Sequence, residues 1–341
     1  MVLKFSGRFR CKELHRLASR EIIKTKTKFF SSVIVMYILQ EMFIDIAANL
    51  TDDMFKGTYH GKPRHESDLD SVLQRARESS VDKIIVLAGS VNDAYECLDI
   101  CNRHDPEGGL LFTTVGFHPT RCDEAALLET EEALSETFGK FVEQSGNRIV
   151  ALGELGLDYD RLHFCSKETQ KKFFDIQLKV AVKKFPHLPL LLHLRNAFDD
   201  FIEIIQKYNV KGVVHSFTGT REEMDRLVQL GLYIGINGCS LRESLDVIPH
   251  IPEDRLIIET DAPYCDIKPT HASFPYLDGF QLPTTVKPEK FVPGSLVKGR
   301  NEPCCINQVA YVISAVRKTD YISISEQIRA NTLRLFRNLV K

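Results

Sequence analysis

The sequence has no C-x-x-C pair among its nine cysteines. Cys304 and Cys305 are adjacent and do not both fit ordinary bridges. An odd, scattered set argues against a disulfide framework. It reads as reduced intracellular thiols, most of them acting as small buried hydrophobes. A basic excess is missing from most of the chain. Residues 1–41 hold nine Lys or Arg and three Glu, which leaves 35 basic and 43 acidic side chains elsewhere, a net of −8. That balance excludes a generally basic nucleic-acid-binding body. Any polyanionic substrate must meet a local patch or metal ions. The apolar run at 29–39 is too short for a comfortable membrane span, and no convincing small-residue cleavage site follows it.

What is present points to a large α/β protein. The 341 residues suit one large α/β barrel or two ordinary domains. An apolar fraction of 43% and a charged fraction of 26% are ordinary for a soluble globular protein. Residues 1–41 form a basic extension with several open readings: a mitochondrial transit peptide, a secretory signal, or an alternative start that adds a tail. Met42 directly precedes the first clear strand, so the functional chain is expected to be 42–341.

Eight short apolar runs recur, at 43–48, 83–88, 111–117, 149–152, 189–192, 211–214, 232–236 and 256–258. They are continuous rather than alternating, as expected of parallel strands buried on both faces. Amphipathic stretches separate them, at 68–79, 169–184 and 222–230, the last with Thr220 as N-cap. Strand alternating with helix eight times predicts a (β/α)₈ TIM barrel, with a doubly wound open sheet as the alternative. Reactive side chains favour the barrel. Asp45 and Asn49, His118, Glu154 and Asp158, His193 and Arg195, His215, Asn237 and Asp261 all sit where these runs end. In a barrel those ends open onto one face.

Residues 265–304 form a Pro-rich excursion with little periodicity. Its Phe274, Tyr276, Phe280 and Phe291 interleave with Lys268, Lys287, Lys290, Lys298 and Arg300. Such a loop reads either as a surface for bases and phosphates or as a segment packed on the barrel rim. Helices are expected at 306–317 and 325–339, with Leu333, Leu335 and Phe336 packing against the outside of the barrel.

The centre of the chain is Ile149-Val150-Ala151-Leu152-Gly153-Glu154-Leu155-Gly156-Leu157-Asp158. A bare carboxylate at the end of such a core strand costs several kcal/mol, so Glu154 needs a counter-charge. Glu154, His193, His215 and Asp261, each ending a different run, form a mixed carboxylate–imidazole set. It suits Zn²⁺, Mn²⁺ or, with more water, Mg²⁺. Such a site activates water beside an electrophilic phosphorus or carbonyl, and Asp261 is placed to take the water's proton.

Six motifs in order carry a family resemblance. They are Val115-Gly116-Phe117-His118-Pro119, Gly153-Glu154-Leu155-Gly156-Leu157-Asp158, Leu192-His193-Leu194-Arg195, Val214-His215-Ser216-Phe217-Thr218-Gly219, Ile258-Glu259-Thr260-Asp261-Ala262-Pro263-Tyr264 and Arg300-Asn301-Glu302-Pro303. With them the chain resembles the TatD family of metal-dependent deoxyribonucleases, and its Asp158-Tyr159-Asp160-Arg161-Leu162 and Asn237-Gly238-Cys239-Ser240 look most like the eukaryotic TatD domain-containing 1 branch. The resemblance implies Glu154, His193, His215 and Asp261 as metal ligands, Asp261 and Glu154 as catalytic groups, and His118 and Arg195 facing substrate phosphates. It implies Mg²⁺- or Mn²⁺-dependent hydrolysis of DNA, as a 3′→5′ exonuclease on single strands, in DNA repair or breakdown. The expected compartment is the nucleus or cytoplasm, or the mitochondrion if residues 1–40 act as a transit peptide.

One departure stands out. Where many relatives carry His-x-His after strand one, this chain has Ala47 and Asn49. Alanine cannot ligate and asparagine is a weak oxygen ligand, so whether one or two ions bind stays open. An amidohydrolase acting on a small cyclic amide or ester, and a scaffold protein with lost metal chemistry, are the alternative functions.

Overall fold

The computed structural model describes residues 43–340 other than 129. The expectations for residues 1–42 lie outside the described residues. The eight apolar runs become eight strands: β1 (Phe43–Ala48), β2 (Val81–Val86), β3 (Leu111–Val115), β4 (Ile149–Asp158), β5 (Leu190–Arg195), β6 (Gly212–Val214), β7 (Tyr233–Ile236) and β8 (Leu256–Ile258). They pair in sequence order, and every pairing is parallel. A parallel bridge between Ala48 and Ala262 brings the first strand to the segment after the last. Backbone bonds from Asn49 N to Ala262 O (2.6 Å) and from Asp261 N to Ala47 O (2.8 Å) reinforce it. This contact makes the sheet a nearly closed (β/α)₈ barrel and excludes the open-sheet alternative.

The helices between the strands are α1 (Leu69–Glu78), α2 (Val91–His104), α3 (Glu131–Ser145), α4 (Lys167–Lys184), α5 (Phe198–Ile205) and α6 (Arg221–Gln229). Thr220 caps α6 in a reciprocal capping box with Glu223. Two more helices follow, α7 (Ile306–Arg317) and α8 (Tyr321–Leu335). Among the described residues no helix is long and apolar enough to cross a membrane, and the described cysteines are free.

Two expectations need correction, and one open reading is divided. First, β4 does not stop at residue 152. It runs on to Asp158, so Glu154 lies within the strand, as His193 lies within β5. The register against β5 shifts between Leu152 and Leu155. Gly153 and Gly156 permit the close approach: a Cβ at either would meet a β5 carbonyl oxygen, at 2.4 and 1.9 Å. These glycines look like a strand end in the sequence but act as contact points between strands.

Second, the C-terminal apolar cluster does not pack outside the barrel. Leu335, Phe336 and Leu339 are buried with Ile44, Ile85, Phe112, Val150, Leu191, Val213, Tyr233 and Ile257. That set takes a residue from every strand, which only the barrel interior brings together. Leu191 and Val213 each lie two residues before a candidate ligand, on the same inward face. The chain that leaves α8 is therefore the barrel's floor.

Of the two readings left open for the 265–304 excursion, rim packing describes Phe280, Phe291 and Arg300, whereas Lys268, Tyr276, Lys287, Lys290 and Lys298 are exposed. Phe291 stacks on His65 with centroids 4.1 Å apart, and Phe280 packs on Tyr311. Arg300 is buried, held by Asp68 (2.6 and 2.7 Å) and Glu302 (2.9 Å), and Arg75 reaches Glu302 at 2.8 Å. Arg300 is thus a structural anchor and is not available to a phosphate.

Phe336 is fully buried in the floor. Phe336→Ala is expected to lower stability by about 3–5 kcal/mol in urea unfolding. A loss below about 1 kcal/mol would mean that the floor collapses to fill the space.

Candidate metal centre in the barrel mouth

Strands β4, β5 and β6 deliver three side chains to one point. Glu154 comes from the bulged part of β4, His193 from β5 and His215 from just past β6; all three are buried. His193 Nδ1 and His215 Nε2 both donate to the same oxygen, Glu154 Oε1, at 2.5 and 2.6 Å. The two nitrogens are 3.3 Å apart. The far side of each ring meets another carboxylate. His193 Nε2 bonds Asp158 Oδ2 at 3.2 Å, and His215 Nδ1 lies 3.3 Å from Glu259 Oε1. Glu259 is itself fixed by the backbone N–H of Ser216 (2.6 Å) and the Asn237 amide (3.1 Å).

Burial alone would favour neutral groups here, and the facing charges outweigh it. His215 and His193 hold the Glu154 carboxyl well below its usual range. Glu154 and Asp158 raise His193, while Glu154 and Glu259 raise His215 well above the ordinary imidazole value. The centre thus draws two ring protons onto itself. A divalent cation carries the same two charges, and displacing those protons exposes lone pairs on converging atoms. One carboxylate oxygen and two imidazole nitrogens within 4.8 Å of one another form a donor set that divalent metals accept. The residues present fit a divalent cation.

The fourth expected ligand, Asp261, lines the same cavity, about 1120 Å³ in volume, but stands apart from the tight group. Its backbone has the left-handed φ of 53°. Oδ1 accepts from the Asn49 amide at 2.9 Å, and Oδ2 accepts from the Cys265 thiol at 3.3 Å. Asn49 therefore serves to orient Asp261. Ala47, in the other histidine place, is fully buried. Burial raises the Asp261 carboxyl to about 6 against the pull of His215.

His118 and Arg195 also line this cavity. His118 Nδ1 accepts from the Thr120 N–H at 3.2 Å, which puts the ring proton on Nε2. Nε2 faces Glu154 Oε1 at 3.6 Å. Burial pushes His118 down to about 3, so the ring is neutral and Nε2 is a donor. Arg195 donates to the Thr218 hydroxyl at 2.8 Å.

Two carboxylates take supporting places that the sequence reading does not assign: Asp158 stands there only as a reactive strand-end group, and Glu259 is not singled out. Asp158 forms a second close group with His118 and His193, and Glu259 backs His215. Both lie inside the six motifs. The available signal was their position: Asp158 is two strand repeats beyond Glu154, and Glu259 two residues before Asp261.

With this geometry in view, the comparison with known proteins is specific. The family model described as TatD related DNase matches residues 44–337. The chain belongs to this family. Deoxyribonuclease Tat-D of Schizosaccharomyces pombe is 39% identical, over 89% of this chain and 99% of its own. A solved TatD family hydrolase from Entamoeba histolytica aligns with a TM-score of 0.81 at 39% identity, covering 87% of this chain and 98% of that one. A Musicola paradisiaca protein named 3'-5' ssDNA/RNA exonuclease TatD is 30% identical, over 86% of this chain and 97% of its own. The chain is thus an enzyme of a hydrolytic nuclease family, with a TIM-barrel fold and a site compatible with a divalent metal.

A further buried carboxylate supports the Asp261 turn. Asp45, wholly buried in β1, accepts from Thr260 N (2.9 Å), Thr260 Oγ1 (2.5 Å) and Ala47 N (3.3 Å). Burial pushes Asp45 from 3.8 to about 7, although the Thr260 bonds oppose the rise. The folded chain therefore keeps a proton that the unfolded chain releases above 3.8. Its contribution to stability is full below that value and is lost as pH rises through about 7. Asp45→Asn imitates the protonated acid. Between about pH 4 and 7 the wild type is expected to lose stability relative to this variant, measured by urea unfolding across pH. A difference independent of pH would mean that Asp45 ionises alike in both states.

Proposed function

We propose that this chain hydrolyses DNA phosphodiester bonds with a bound divalent cation, removing nucleotides from the 3′ end of single strands. The observation that carries this reading is the convergence of His193 and His215 on one oxygen of Glu154, in a nuclease-family barrel. Glu154, His193, His215 and Asp261 would hold the cation, with Mg²⁺ or Mn²⁺ favoured. When bound, it lowers the pKa of water and takes negative charge off the phosphate.

The remaining roles fall to the chain's own groups. Asp158 orients His193 through a bond to its outer ring nitrogen, and Glu259 stands 3.3 Å from the outer nitrogen of His215. Asp261, on the wall of the same cavity, is suited to accept the proton of the attacking water. His118 Nε2–H and the Arg195 guanidinium are placed to donate to phosphate oxygens from the cavity wall. The name of the Musicola relative supports the polarity and the single-stranded substrate.

The test is hydrolysis of a 5′-labelled single-stranded oligonucleotide with Mg²⁺ or Mn²⁺, with EDTA, and with Asp261→Asn and Glu154→Gln. Metal content is measured alongside by mass spectrometry. The expected result is a ladder shortening from the 3′ end, abolished by EDTA and reduced on the order of 10²-fold or more in each variant. Intact oligonucleotide after incubation with folded, metal-loaded wild type would sink the reading and favour hydrolysis of small amides or esters.

A further inference from the structure

A second cavity, about 870 Å³, adjoins the metal cavity. The segments after β5, β6 and β7 form its walls, and the two cavities share Asp160, Arg195 and Cys239. Its size falls in the range that encloses a small ligand, roughly 300–1,000 Å³, which is room for a short single-stranded segment.

The cations in its wall are without close ion pairs. Arg195, Arg221 and Arg242 line it. Among the described residues Arg195 has no carboxylate partner within ion-pair distance, its bond being to the Thr218 hydroxyl. Arg221 Nε is 3.8 Å from Asp225 with a guanidinium nitrogen 3.5 Å from His250 Nε2, and Arg242 Nε is 4.0 Å from Glu243. The two carboxylate pairs are loose, exposed and beyond hydrogen-bond range, worth little in water. Arginines with structural duties are held differently: Arg75, Arg148, Arg300 and Arg329 sit 2.5–2.8 Å from their carboxylates.

Both walls carry more carboxylates than arginines, but the excess is six around the metal cavity and only two around the second. Nine carboxylates and three arginines line the metal cavity, against five carboxylates and three arginines in the second. Two of those five are tied to neighbouring donors, which fixes their position and leaves their charge in place. Glu223 accepts from Thr220 N in the capping box, and Asp160 accepts from the Asn196 amide. A strand whose scissile phosphate lies in the metal cavity meets strong repulsion for its other phosphates there. The second cavity offers them loosely held guanidinium groups.

We infer that the second cavity is a strand subsite, which takes backbone phosphates of a single-stranded nucleic acid next to the scissile bond. Arg221 and Arg242 make the contacts, and Arg195 links this subsite to the reaction centre. The inference rests on the nuclease reading above.

The test is binding of a fluorescein-labelled oligothymidylate in EDTA, followed by anisotropy over a series of salt concentrations. Wild type is compared with Arg221→Ala, Arg242→Ala, the double variant, and Arg103→Ala as an exposed control that lines neither cavity. Each cavity substitution is expected to weaken binding several-fold at low salt. Each also flattens the plot of log affinity against log salt by about 0.7 for every phosphate that the variant leaves unneutralised. Arg103→Ala keeps the wild-type slope. A loss of folding alone would not move that slope, and Arg→Gln at both sites replaces the alanines if melting shows them unstable. A double variant with wild-type affinity and slope overturns the subsite while nuclease activity stands. Wild type that neither binds nor cleaves the oligonucleotide overturns the nuclease reading and the subsite with it.

Discussion

One carboxylate oxygen, Glu154 Oε1, sits within hydrogen-bond reach of two imidazoles and is nearly shut off from water. A charge so placed is tolerated only with positive charge beside it. Three strands must therefore arrive at one point with tolerances of tenths of an ångström. The bulge in β4 and the two glycines beside β5 are what bring Glu154 there. A regular strand would carry the residue past its partners.

Support for this point extends outward in layers. Asp158 bonds the far nitrogen of His193, Glu259 faces that of His215, and Asn237 and Ser216 hold Glu259. On the opposite wall Asp45 fixes Thr260, and Asn301 donates to the Thr260 carbonyl at 3.0 Å. Asn301 lies between Arg300 and Glu302, which belong to the buried ion network with Asp68 and Arg75. That network costs desolvation energy, and its geometry recovers it only while every partner stays in place. Its consequence is positional. The end of a long irregular excursion is tied to α1 and so becomes a rigid brace for the turn that carries Asp261.

The fold was legible because parallel strands buried on both faces leave continuous apolar runs, and a closed barrel repeats them eight times. Glu154, His193, His215 and Asp261 were legible for a related reason: polar groups interrupt those runs where burial is most costly. The roles of Asp158 and Glu259 were not, because a supporting carboxylate and a solvent-facing one look alike until their partners are known. Periodicity also misread the Leu333, Leu335 and Phe336 cluster. An apolar stripe at the end of a helix reads equally as a face laid on the barrel wall or a plug inserted into it. Only the ring of residues from all eight strands distinguishes them. Arg300 shows the same limit, since a cation in a loop carries no mark of the two acids that bury it.

The floor has a consequence for the timing of synthesis. Ile44 in the first strand shares its buried cluster with Phe336, so nearly the whole chain separates two residues that share one core. At about 5–20 residues per second, a ribosome needs on the order of tens of seconds to deliver the second after the first. Through that interval the inward faces of the early strands lack a partner that no earlier residue replaces. Contacts this far apart in sequence also close slowly once available. Such a nascent chain would be a natural client for holding chaperones, and a product halted before residue 336 would expose the apolar interior on which degradation systems act.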